Sequence, residues 1–178
     1  MNIREILSDI LGKARTDKQI RWNDPIRFQK EVLPLLPLSI KVISPPPGIQ
    51  HQFNCFVFAL NLQTTVRPSQ NGFIYPAFVQ ELISENEMKK LTRKPESNDI
   101  ILYRNNNELK HAGKVVDEKL IISKWSGGPI LKHPLFHVPV DYGNTIEYYK
   151  PISDTKAQEL FKKYKNFNFP PLISFQFA

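Results

Sequence analysis

Ile3, Ile6, Leu7, Ile10 and Leu11 recur at helical spacing with polar residues between them, which predicts an amphipathic helix over residues 2–14. A second helix is predicted to start near Asn23-Asp24-Pro25, where a capping side chain precedes a proline at the first helical position, and to run towards Pro34. Residues 44–48, S-P-P-P-G, read as a stiff connector, because three prolines fix their own torsions and supply no donors. Residues 55–62 are apolar on nearly every side, so periodicity alone does not choose between helix and strand. Asn54 as an N-cap, and Ala59, Leu60 and Leu62 as helix formers, favour a helix that opens at Cys55.

From residue 98 the period shortens to two. D-I-I-L-Y-R (99–104), K-H-A-G-K-V-V (110–116) and K-L-I-I-S-K-W (119–125) predict three antiparallel strands in a meander, and T-I-E-Y-Y-K (145–150) is a fourth candidate. The intervening S-G-G-P is a loop whose two glycines would permit positive φ. After residue 151 the pattern predicts one charged helix, followed by an aromatic end with Phe167, Phe169, Phe175 and Phe177 that suggests docking. The expected organisation is an N-terminal helical arm (1–43), an α+β core (44–150), and a C-terminal helix with an aromatic tail (151–178).

Charge adds a preference for partners. Twenty-four Lys+Arg against seventeen Asp+Glu give a net charge of +7, a balance that attracts acidic molecules. The basic residues form only short clusters, Lys89-Lys90, Arg93-Lys94 and Lys162-Lys163-Lys165, which read as solvated surface. Trp125, Tyr142, Tyr148 and Tyr149 read as packing rather than as a platform for bases, so nucleic acid is not the expected partner. Glu5 and Asp9 interrupt the run that a secretory signal needs, and no apolar run approaches the ~18 residues of a membrane span, so a cytoplasmic location is expected. The single cysteine forms no internal disulfide and would stay a free thiol in a reducing compartment.

That thiol is the first chemical candidate. In the opening turn of a helix, unpaired amides and the helix dipole lower a thiol pKa; packed in an apolar run, the same residue is only a small hydrophobe. A cysteine hydrolase also needs a base and a group to orient it. Of the four histidines, His51 lies on the incoming loop and His137 on another loop, whereas His111 opens a strand and is followed by Ala112 and Gly113, which permit close approach. With Asp117-Glu118 as a two-residue turn, His111 would lie opposite Lys124, flanked by Ser123 and Trp125, which makes Ser123 the first candidate to orient the imidazole. His133 and His137 are spaced for zinc only on a helix, which Pro134 and Pro139 oppose, so no metal or other cofactor is expected.

The order N-C-F-V-F-A-L, S-N-D-I-I-L-Y, K-H-A-G-K-V-V, I-I-S-K-W resembles the NlpC/P60-type papain-like cysteine hydrolases, and S-K-W-S-G-G-P through Y-G-N-T-I-E-Y-Y resembles an uncharacterised branch of them. The resemblance covers roughly residues 50–150. It implies a papain-like α+β fold with a nucleophile helix packed on a small antiparallel sheet. His111 would deprotonate Cys55 for attack on a peptide or isopeptide amide, and water or another acceptor would release the acyl group. The oxyanion would be met by the Cys55 amide, with Asn54 or Gln52 as a second donor. His133, within the branch-like segment, is the alternative third member. Where the family carries Asp-Cys-Ser-Gly this chain has Asn54-Cys55-Phe56-Val57. A second expectation therefore stands beside the first: a catalytically silent papain-like domain that only binds a protein, nucleic-acid or cell-wall partner, through its basic or aromatic surface.

Overall fold

The period-two runs in the second half of the chain build one six-stranded antiparallel sheet: β1 (Lys41–Ser44), β2 (Ile100–Asn105), β3 (Glu108–Val115), β4 (Leu120–Lys124), β5 (Ile130–Pro134) and β6 (Thr145–Tyr149), in the order β1-β5-β4-β3-β2-β6. The computed structural model describes residues 2–16, 20–48, 51–65 and 74–168. The four expected strands are present, and β1 and β5 extend the sheet beyond them.

Turn chemistry sets the register. Asn106 and Asn107, with φ of 48° and 66°, close the β2–β3 turn, and Lys110 is the extra residue of a bulge between the pairs Tyr103–His111 and Arg104–Leu109. The β3–β4 connection spans four residues, 116–119, instead of the expected two, because the Asp117 carboxylate accepts the amides of Lys119 (2.8 Å) and Leu120 (2.9 Å). Gly113 therefore pairs with Ser123, and the strands slip by one residue from the expected alignment.

Each face of the sheet carries its own core. On one lie α1 (Ile3–Thr16), α2 (Ile20–Asn23) and α3 (Pro25–Arg27), followed by a π turn (Phe28–Val32) and a 3₁₀ turn (Leu33–Leu35) leading into β1. The expected second helix thus starts after its Asp24 cap but changes pitch as it approaches Pro34, which lacks an N–H. Leu7, Ile10, Leu11, Trp22 and Phe28 pack against Ile101, Tyr103 and Trp125. The segment expected as an arm is thereby fastened to the sheet. The Arg4 guanidinium donates to the carbonyls of Val138, Pro139, Val140 and Gly143, and the Trp22 indole N–H donates to the Trp125 carbonyl at 2.8 Å.

The S-G-G-P loop holds a correction. Neither glycine there has positive φ; Ser126 does, at 55°. Gly128 is needed for space instead, since a Cβ there would lie 2.0 Å from Trp22 Nε1.

The other face carries α4 (Cys55–Ala59), α5 (Pro76–Ser84) and α6 (Asp154–Asn168). Phe56, Val57, Phe78 and Leu82 pack there against Ile100, Leu102 and Ala112, and α6 seats Phe161 and Tyr164 on Phe78 at centroid distances of 5.4 and 5.0 Å. Phe169, Phe175 and Phe177 of the aromatic end lie outside the described residues. Among the described residues, no helix is long and apolar enough to cross a membrane.

The two sheet edges differ. β6 is covered by residues 89–91, through Leu91 N–H to the Tyr148 carbonyl (2.8 Å) and Lys150 N–H to the Lys89 carbonyl (2.9 Å). β1 pairs only with β5 among the described residues, and it is short, bulged at Ile43 and followed by three prolines.

Candidate functional site

Asn54 opens α4 as expected. Its extended backbone (φ −96°, ψ −178°) turns the side-chain Oδ1 onto the Val57 amide at 3.2 Å, while Nδ2 donates to the Ile74 carbonyl at 2.7 Å. The amide expected to help an oxyanion is thus engaged in capping and in holding residue 74. Gln52, the other candidate, lies against the loop after β4, its Oε1 2.9 Å from where a Cβ of Gly127 would be.

The thiol departs from the expected acidification. Cys55 is 7% exposed, and burial pushes its pKa up to about 12, against the pull of the backbone N–H groups of Ala112, Phe56 and Cys55 itself. A five-residue helix end inside an apolar cluster does not compensate the thiolate for lost water, so the sulfur is protonated at neutral pH.

The structure does not bring His111 to Cys55. Ala112, whose amide points at the sulfur, belongs to the Cys55 cluster, and its neighbour His111 points to the opposite face. There the imidazole stacks on Tyr142, with centroids 4.0 Å apart and planes at 27°, and leans on Tyr103 at 5.5 Å. Burial, and then the nearness of the second imidazole, His133, hold its pKa well below the ordinary value, and its Nε2 has no hydrogen-bond partner among the described residues.

Ser123 and His133 share that face and are committed to each other. The Trp125 indole donates to Ser123 Oγ (3.0 Å), Ser123 O–H donates to His133 Nε2 (2.7 Å), and His133 Nδ1–H donates to the Pro134 carbonyl (2.9 Å). The ends of the chain fix its direction, because the indole can only donate and the carbonyl only accept. No hydrogen bond joins Ser123 or His133 to His111. Burial lowers the His133 pKa to about 4, which keeps it in the neutral form this chain requires. His137 pairs instead with Ser39 Oγ at 2.9 Å.

With both faces in place, family membership can be located on the fold. One family model matches residues 47–150, from the connector after β1 to the residue after β6. The chain belongs to the family described as Domain of unknown function (DUF7689). No curated protein and no solved structure matches it. The DUF7689 span holds Cys55, His111, Ser123 and His133, together with five of the six strands.

Other groups on the Cys55 face were not marked as functional in the sequence. Lys124 is 1% exposed; its ammonium donates to the Gly128 carbonyl and lies 4.6 Å from the Phe53 ring centroid, and burial draws its pKa down to about 7. Pairing aligns Lys114 with Ile122, Ile122 with Lys132, and Lys132 with Lys41, a row across β3, β4, β5 and β1. Directly paired residues share a face, and Lys114, 4.9 Å from the Phe58 ring of α4 and bonded to Asn61, fixes which face it is. The available signal was lysine in phase with the half-buried positions of these runs, but only the register turns that into a row. Among the described residues no group of three His, Cys, Asp or Glu is placed to hold a metal ion.

The arrangement therefore separates the polar groups. The histidine face is sealed beneath helices, whereas the Cys55 face offers a protonated thiol and, beyond α4, half-buried aliphatic side chains between lysines.

Proposed function

We propose that this domain is a binding module built on a papain-like plan, in which Cys55 packs the α4–sheet contact and takes no part in catalysis. The carrying observation is the position of Ala112: its amide meets the sulfur while His111, one residue earlier, faces the other way. For Cys55 and His111 to act as a pair, β3 would have to turn over, carrying His111 out of its stack with Tyr142. The raised thiol pKa and the cap-engaged Asn54 support the same reading. The net charge of +7 favours an acidic partner.

One observation favours the alternative, a thiol hydrolase or acyltransferase acting on an amide. Three backbone N–H groups converge on the sulfur, and Lys124, with its lowered pKa, shares the face of Cys55. On that reading Lys124 would be the base in place of His111.

Iodoacetamide alkylation against pH separates the two. The binding-module reading expects Cys55 to react only when the protein is unfolded, with His111→Ala leaving the native rate unchanged. Native alkylation that persists below the ~8.5 of a free thiol would overturn it. Sensitivity of that reaction to Lys124→Met or to His111→Ala would then identify the base.

A further inference from the structure

The sheet positions on the Cys55 side of β3, β4, β5 and β1 carry four lysines, Lys114, Lys124, Lys132 and Lys41, and no acidic residue. Lys41 and Lys132 are direct cross-strand partners, a like-charged pairing that destabilises a sheet unless an anion lies between the two. Neither has an ion-pair partner among the described residues, whereas Lys90, Arg93, Arg104 and Lys156 elsewhere on the surface all have one. The other face of the same strands is closed, with Ile121, Ser123, Leu131 and His133 all buried. This face is left half-open, with Ile122 and Ile130 between the lysines.

We infer that this row is a docking surface for an extended peptide segment whose sheet-facing side chains, at every second residue, are acidic and aliphatic in turn. The inference rests on the reading of the domain as a binding module and names its partner. Strands spaced ~4.8 Å apart put the row from Lys114 to Lys41 at ~14 Å, a length that two or three alternate side chains of an extended peptide match. Carboxylates meet Lys41 and Lys132, and aliphatic groups meet Ile122 and Ile130. Charge complementarity selects an acidic ligand, and the absence of an aromatic side chain at these strand positions disfavours single-stranded nucleic acid, which binds by stacking its bases. The peptide lies across the face and not along the β1 edge, because that edge is short, bulged and run into prolines, features that resist strand addition.

The test uses the full chain and a rhodamine-labelled dodecapeptide in which glutamate and valine take turns at every second position with serine between them, read by fluorescence anisotropy. Two controls accompany it: the same peptide with serine for glutamate, and an oligothymidylate of equal charge. The glutamate peptide is expected to bind, to weaken with salt, and to lose ~10-fold or more in affinity in the variant combining Lys41→Glu and Lys132→Glu. The single variant Lys132→Glu adds a readout that misfolding could not imitate: binding falls while the melting temperature rises, since a repulsive pair becomes an attractive one. Unchanged affinity in the double variant, tighter binding of the oligothymidylate, equal binding of the serine peptide, or no binding at millimolar peptide each overturns the inference. Those failures leave the alkylation result for Cys55 untouched, and a reactive native thiol would refute the binding module without altering the lysine result.

Discussion

The two faces of one sheet hold similar numbers of polar side chains and treat them in opposite ways. On the face under α1 and α2, Ser123, His133 and Trp125 are joined donor to acceptor, and His111 is stacked between aromatic rings. On the face under α4, Lys41 and Lys132 stand opposite each other without an acidic partner among the described residues. Buried polar groups that satisfy one another specify a core and are inaccessible to a ligand. Unsatisfied charge at a half-open surface is free to meet one. The comparison teaches that alternation along β3 and β4 turns His111 and Ser123 away from Cys55 on α4, however close those strands run to that helix.

Four measurements bear on that comparison. Trp22→Ala, which empties the slot over Gly128 and leaves the Trp125 carbonyl with the Gly128 amide but without the indole as donor, is expected to cost about 3–5 kcal/mol in denaturant unfolding. Acid comes next. His133 has its pKa lowered from the ordinary ~6.5 to about 4 and is neutral when folded, so the unfolded chain takes up the proton first. Its share of stability is present above pH ~6.5, drains away as the pH falls towards about 4, and amounts to about 3 kcal/mol, with His111 acting in the same direction. Urea midpoints across that range check this, and a flat profile would mean that the histidine face is wet. Ser123→Ala leaves the Trp125 N–H and His133 Nε2 without partners and is expected to cost about 1–3 kcal/mol in the same assay. Smallest is Lys132→Glu, a gain of roughly 0.2–1 kcal/mol in thermal melts, which high salt should erase if the Lys41 repulsion is its source.

Much of this fold was legible because its signals are local. The stripe from Ile3 to Leu11, the Asn54 cap and the β-branched runs after residue 98 each name an element without reference to any other. β1 and β5 were not legible. K-V-I-S and I-L-K-H-P are short and bounded by prolines, and they become strands by pairing with each other and with β4. The register failed on one side chain, since Asp117 lengthens the turn by taking two amides itself. The expectation for the thiol failed on magnitude: the helix start is real, but burial outweighs what three N–H groups supply. The lysine row was invisible for a further reason, because its members come from four strands and meet only when the sheet is assembled.

The contact between Trp22 and Trp125 joins residues 103 positions apart, and β1 likewise meets β5 across about half of the chain. Contacts of such separation form late, because the loop they close must be ordered before they repay it. During synthesis the hairpins from β2 to β5 can settle as they emerge, while the helices made first wait with Leu7, Ile10 and Trp22 uncovered. The apolar stripe of α1 therefore depends for its cover on strands from the second half of the chain.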